Sequence, residues 1–255
     1  MKITIKTEEE IAILRKGGKI LATILDELEK EVTAGNTTLD VDDRAMELME
    51  EYGVEPMILG YHPRFAERPY PAAICVSIND EVVHGIPNED VVEFIDGDIV
   101  SIDCVIGYQG LVLDSARTVG VGQLSKEAEG LIAITHKALS AAIDAAKPGN
   151  HIVEIGRAIE KVIGGKYGII ETFCGHGVGY DLHEEPQVPN FVTKDKGPTL
   201  EPGMVIAIEP MITTGSKEVV ILDDGYTAVT EDGSLAAHME HTVLITKDGP
   251  EILTM

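Results

Sequence analysis

The sequence predicts an α+β fold, and three observations carry that expectation. Four stretches space their apolar residues three and four apart as helices do, and six others are rich in valine and isoleucine as strands are. The two kinds alternate loosely in two blocks, one on either side of Gly120 to Ser125. No convincing repeat, low-complexity tract or flexible linker separates the blocks, so a single two-halved domain over residues 1–255 is expected. A chain of 255 residues buries most of its apolar surface in such a domain.

The first helix opens at Thr7, where TEEE reads as a capping box. It continues through Ile11, Leu14, Leu21, Leu25, Leu28 and Val32, and Gly35 stops it. A second helix is expected from Thr38 to Gly53. Strands follow at Ala73 to Ile78, Ile99 to Ile106 and Leu111 to Val119, with Tyr108 and Gln109 read as a two-residue turn between Gly107 and Gly110. Helices from Ser125 to Pro148 and from Asn150 to Gly165 open the second block. Strands at Ile169 to Cys174, Met204 to Ile208 and His238 to Thr246 complete it.

Composition narrows the function classes. The chain is ordinarily globular at 44% hydrophobic and 25% charged residues, which disfavours disorder. Acidic side chains number 44 against 20 basic ones, and the net charge of -24 repels nucleic acid and anionic membranes. No apolar run reaches the ~18 residues a membrane helix needs, and MKITIKTEEE lacks the apolar core of a secretory signal. Cys75, Cys104 and Cys174 sit in apolar stretches and are odd in number, which suits buried free thiols in a reducing compartment. A cytoplasmic protein is expected.

The anomaly that points to chemistry is a set of four carboxylates in or against apolar strands: Asp103 in VSIDCVI, Asp114 in LVLDSAR, Glu209 in VIAIEP and Glu240 in HMEHTVLI. Strand interiors usually exclude such residues, and an isolated buried carboxylate costs several kcal/mol unless it is paired, protonated or bound to a cation. One such residue reads best as a solvent-facing side chain, but four together do not. Arg117 is the one basic residue near any of them in sequence, so bound cations are the simpler counter-charge. The Tyr108–Gln109 turn would set Asp103 directly opposite Asp114, with Cβ atoms about 4.5–5.5 Å apart, a distance at which two like charges need a cation between them.

Histidines supply the next element. FCGHGVGYDLHEEPQV carries His176 and His183 among glycines, where backbone can approach a ligand, and VVHGIP carries His84. Alone, HGVG reads equally as a turn with a surface histidine, and His84 reads better as an ordinary loop histidine. One imidazole with four carboxylates, however, carries a charge of about -4, which two divalent cations balance while leaving a bridging hydroxide as nucleophile. Donors of this oxygen-rich kind suit manganese or iron better than structural zinc, with cobalt and zinc as further candidates.

The order Asp103, Asp114, His176, Glu209, Glu240, with NDEVVHGIP, CGHGVG, HEEPQV, IEPM and EHT around it, resembles the type I methionine aminopeptidases from the first helix to the C-terminal EILT. The resemblance implies the pita-bread fold, with pseudo-symmetric halves around a central site. It implies that these five residues bind the two metal ions, Asp114 and Glu240 bridging both, and that hydroxide attack on the first peptide bond frees an N-terminal methionine. By the same resemblance His183 steadies the oxyanion, His84 meets the peptide nitrogen and Glu209 shuttles a proton. Tyr61, His62, Cys75, Leu182 and Tyr226 would line the methionine pocket, and each reads equally as core.

The resemblance further implies a monomer whose substrate is the N-terminal peptide of newly made proteins, within reach of the ribosome and without direct binding to nucleic acid. Departures from the family pattern lie at Leu182 and Tyr226, where larger aromatics are usual, and in HPRFAERPYP, a longer stretch than usual bordering the pocket. No insertion of the type II kind separates His183 from Glu209, so the minimal catalytic form is expected. Two rival readings remain: a proline-specific relative of the same fold, disfavoured by the lack of room for its usual N-terminal domain, and a binding module that has lost its ligands, disfavoured because all five are present.

Overall fold

The structure, a computed structural model, describes residues 2–63 and 66–255. Arg64 and Phe65, in the stretch bordering the expected pocket, lie outside the described residues. The first block contains helices α1 (Glu8–Glu31) and α2 (Thr38–Tyr52) and strands β1 (Glu55–Pro56), β2 (Cys75–Ile78), β3 (Glu81–Val83), β4 (Ile99–Tyr108) and β5 (Leu111–Gly120). Helices α3 (Lys126–Ala145) and α4 (Val153–Ile163) open the second. Then come β6 (Gly168–Ile169), β7 (Gly175–Gly177), β8 (Glu184–Val188), β9 (Val205–Ile208), β10 (Met211–Thr213), β11 (Val219–Ile221), β12 (Ala228–Thr230), β13 (Ala236–His238), β14 (His241–Thr246) and β15 (Gly249–Ile252).

The capping box at Thr7 is present, with Thr7 and Glu10 exchanging side-chain-to-backbone hydrogen bonds. Leu14, Leu21, Leu25 and Leu28 of α1 are fully buried in a core shared with α2, β2, β4 and β5. Gly18 lets α1 meet the C-terminal segment, because a Cβ there would lie 2.1 Å from the Leu253 carbonyl oxygen. A second core joins α3 and α4 to β9 and β14. No helix among the described residues is long and apolar enough to cross a membrane.

Among the described residues four sheets carry the strands. β4 pairs with β5 along one edge and with β2 and β1 along the other. β15, β14, β9, β7 and β8 form a five-stranded sheet, and two three-stranded sheets run β13-β10-β6 and β11-β12-β3.

Three strand expectations are corrected. The β4–β5 turn is Gln109–Gly110, one residue later than expected, with φ of 51° and 81°. Positive φ at both central positions is the type I′ geometry that matches strand twist, and Gly110 adopts it freely whereas Tyr108 would be strained. The register therefore moves by two, so Asp103 faces Ala116 and Asp114 faces Val105. Because side chains alternate with a period of two, the pair still shares one face, as diagonal rather than direct neighbours.

The strand expected at Ile169 to Cys174 pairs only through Gly168 and Ile169, after which Phe173 and Cys174 turn to line a cavity. The strand expected at His238 to Thr246 is broken at Met239–Glu240, where the chain passes from the sheet of β10 to that of β9. Cys75 and Cys104 are free and buried as expected, while Cys174 is only half-buried.

Candidate metal centre

Asp103 and Asp114 stand on the inner face of the β4–β5 hairpin. Glu209 and Glu240 come from the two sheet-switching points of the second block. Ile208 faces His241 and Met211 faces His238, so the same register carried through the gap sets Glu209 opposite Glu240. A seam of hydroxyls brings the two pairs together: Ser115 donates to the Glu240 carbonyl, Thr242 donates to the Asp114 carbonyl, and the Asp114 N–H donates to Thr242. The Glu240 N–H donates to the Ala116 carbonyl at 2.8 Å.

All four carboxylates line a cavity of about 260 Å³. Burial pushes Asp103 up to about 6. Burial, reinforced by the neighbouring carboxylates, pushes Asp114, Glu209 and Glu240 well above the usual carboxylate range. Among the described residues no arginine relieves them: Arg117 faces Ile102 on the other side of the sheet and pairs with Asp26 and Glu29. Asp103 Oδ1, Asp114 Oδ1 and Glu240 Oε1 are buried without a hydrogen-bond partner among the described residues. Like charges held together in this way form a cation-binding arrangement.

His176 sits on β7, whose glycines are required by close packing: a Cβ on Gly175 would lie 2.3 Å from the Ala207 carbonyl oxygen. Its Nδ1 lies 3.0 Å from the Gly177 carbonyl oxygen, which can only accept, so the ring proton is on Nδ1. Burial, with a contribution from His183, holds the ring's pKa down at about 3, so it is neutral with a bare Nε2. That nitrogen lies 3.4 Å from Glu209 Oε1 and 3.8 Å from Asp114 Oδ2. One ligand atom from each of Asp114, His176 and Glu240 lies within 4.8 Å of the others, a three-residue group able to hold a metal ion. A metal-binding imidazole fixed through its other nitrogen has this arrangement.

The remaining expected residues divide. His183 lies beside His176 with ring centroids 4.5 Å apart, and its Nδ1 hydrogen-bonds to the Tyr61 hydroxyl at 3.2 Å. Next to it, Glu184 is clasped by the fully buried Lys6 at 2.9 Å and by the N–H groups of Tyr180 and Asp181, which fixes the start of β8. His84, at φ 63°, packs edge-on against Phe173, and burial lowers its pKa to about 4. Tyr61, Cys75, Leu182 and Tyr226 all line the cavity. His62 does not: it is exposed, with its Nε2 held 3.1 Å from the Ala66 carbonyl oxygen.

Sequence reasoning missed several lining residues, among them Ile58, Tyr70, Phe173, Met211 and His238. Tyr70 stacks edge-on with Tyr226 at 5.1 Å, filling space beside it. His238 was legible in principle, since residues two apart in a strand share a face and Glu240 is two residues on.

Residues 12–247 match the model of metallopeptidase family M24. A methionine aminopeptidase of Aquifex aeolicus is 48% identical over 259 residues, covering 100% of this chain and 99% of that one. The chain belongs to the methionine aminopeptidases. A crystal structure of the methionine aminopeptidase of Thermotoga maritima superposes with a TM-score of 0.94 at 42% identity, covering 99% of each chain. The architecture is therefore the pita-bread fold of this family of metal-dependent hydrolases. The prolidase of Pyrococcus furiosus shares it at a TM-score of 0.73 and 28% identity, but only 65% of that chain is covered, against 98% of this one. On both identity and coverage the methionine aminopeptidases are the better match than the proline-specific rival.

Proposed function

We propose that the chain removes N-terminal methionine from proteins by metal-activated hydrolysis of the first peptide bond. The observation that carries this reading is the convergence of three buried carboxylates, the half-buried Asp103 and the bare Nε2 of His176 on one cavity. Asp103, Asp114, His176, Glu209 and Glu240 would hold two divalent ions, of manganese, iron, cobalt or zinc. Bound cations of this kind supply a Lewis acid for the scissile carbonyl and lower the pKa of water towards neutrality.

The chain's own groups do the rest. His183, steadied by Tyr61, offers a hydrogen bond to the oxyanion as the carbonyl becomes tetrahedral. His84 meets the nitrogen of the peptide. Glu209, its pKa raised by burial and by Asp103, can carry a proton towards the leaving amine. Tyr61, Cys75, Leu182 and Tyr226 form an apolar, polarizable wall suited to a thioether. No cysteine attacks, since burial, with Asp103 nearby, pushes the Cys75 thiol well up and leaves it un-ionised. The enzyme would work as a single-domain monomer in the cytoplasm, on nascent chains close to the ribosome.

Release of methionine from Met-Ala-Ser by metal-stripped protein, with manganese, cobalt, iron(II) or zinc restored singly, tests the reading. Metal-dependent release, with Leu-Ala-Ser cut far more slowly, is the expected result. Folded protein that stays silent with every metal, or cleaves Ala-Pro substrates instead, overturns it.

A further inference from the structure

His238 ends β13, two residues before Glu240. It is 2% exposed, and its Nε2 has no hydrogen-bond partner among the described residues. That nitrogen lies 3.8 Å from Glu209 Oε2 and 3.8 Å from Glu240 Oε2. The other Glu209 oxygen, Oε1, faces the bare Nε2 of His176. The two oxygens of Glu209 thus each meet a different imidazole.

The backbone of His238 is held on both sides. The Thr118 hydroxyl donates to its carbonyl and accepts from its N–H, and because that hydroxyl proton is committed, Ser101 donates to Thr118. Only the ring is left to move. A gap of 3.8 Å is longer than a hydrogen bond, and a rotation of the side chain would have to close it. A nitrogen lone pair aimed at two carboxylate oxygens is repelled, whereas an N–H is attracted. His238 also stands outside the three residues close enough to share one ion.

We propose that His238 carries its proton on Nε2 and acts as a positioning residue, donating to the metal-binding carboxylates of Glu209 and Glu240. His176 and His238 then play opposite parts with the same side chain, one presenting a lone pair and the other a proton. The inference rests on the reading that Glu209 and Glu240 bind metal, and it adds a group that sets their orientation and steadies the proton carrier Glu209. Outer partners of this kind are worth 10–100-fold in metal affinity or activity.

The test uses the full chain as wild type, His238→Leu and His238→Gln. The leucine fills the space without a donor, and the glutamine amide restores an N–H at similar reach. Manganese binding is followed by calorimetry, and kcat and KM are measured on Met-Ala-Ser. His238→Leu is expected to weaken manganese binding and lower kcat by about 10–100-fold with little change in KM, and His238→Gln to recover most of both. A leucine variant matching wild type, or a glutamine variant as impaired as the leucine one, overturns the proposal. Should the leucine variant not fold, the ring ¹⁵N shifts of His238 in the wild type decide: protonation at Nε2 supports the assignment and protonation at Nδ1 overturns it. Wild-type protein that binds no manganese would count against the proposed function instead, and the tautomer measurement separates the two failures.

Discussion

The two carboxylate pairs reach the site by different routes. Asp103 and Asp114 lie within one unbroken hairpin, ten residues to a strand, whose register is set by a local turn. Glu209 and Glu240 lie where two strands leave one sheet for another, so each stands in a break in the ladder. The first pair is placed diagonally by regular structure, and the second directly opposite by interrupted structure. A site assembled from both needs a rigid platform on one side and a backbone free of strand pairing on the other.

The largest expected effect treats the two routes equally. Asp114→Ala and Glu240→Ala should each abolish methionine release and metal uptake, measured by calorimetry and by product assay. If one variant stayed active, the centre would be the property of one pair alone. Next, His183→Ala should retain metal but lower kcat by about 10²–10³-fold, since an oxyanion donor acts on the reaction and not on the ions. Unchanged turnover would remove His183 from the chemistry.

The clasp on Glu184 offers a third test, confined to the interrupted side. Burial raises the Glu184 pKa, but Thr4 and Lys6 hold it below the usual carboxylate range overall. Lys6→Met leaves that charge with the Thr4 hydroxyl and backbone donors and should cost about 3 kcal/mol in urea unfolding, the low end for breaking a buried pair. A loss of only a few tenths would mean that the Thr4 hydroxyl and the Tyr180 and Asp181 N–H groups suffice.

The smallest effect concerns pH. Burial pushes Glu81, on the strand leading into His84, up to about 7. A carboxyl whose pKa is higher folded than unfolded stabilises the fold below its unfolded value, and that contribution is lost as pH rises through about 7. Glu81→Gln should therefore flatten the fall in the urea midpoint between pH 5 and pH 8, and an unaltered slope would assign that fall to other groups.

The comparison also explains what the sequence made legible. The hairpin strands, the capping box and all four carboxylates could be read because each rests on a local signal: alternation, a cap, or an acidic residue in an apolar run. The turn was misplaced by one residue because two glycines competed to flank it, and only backbone geometry separates them. The break at Glu240 was not read, since neither Met239 nor Glu240 is a turn residue, whereas Pro210 directly after Glu209 marks the other. His62 misled because the family pattern alone placed it in the pocket, while its ring bonds to the Ala66 carbonyl. His238 went unseen as one more strand residue, its meaning depending on a neighbour across a gap.

The hydroxyl seam of Ser115, Thr118 and Thr242 joins the two blocks beside the four clustered carboxylates. Like charges placed there repel, and cations bound among them would act as rivets as well as reagents. An ion present at a hundred times its dissociation constant adds about 2.7 kcal/mol to folding. For this chain the supply of metal would then govern how firmly its halves are fastened as well as how fast it cuts, and scarcity would show as fragility at the seam.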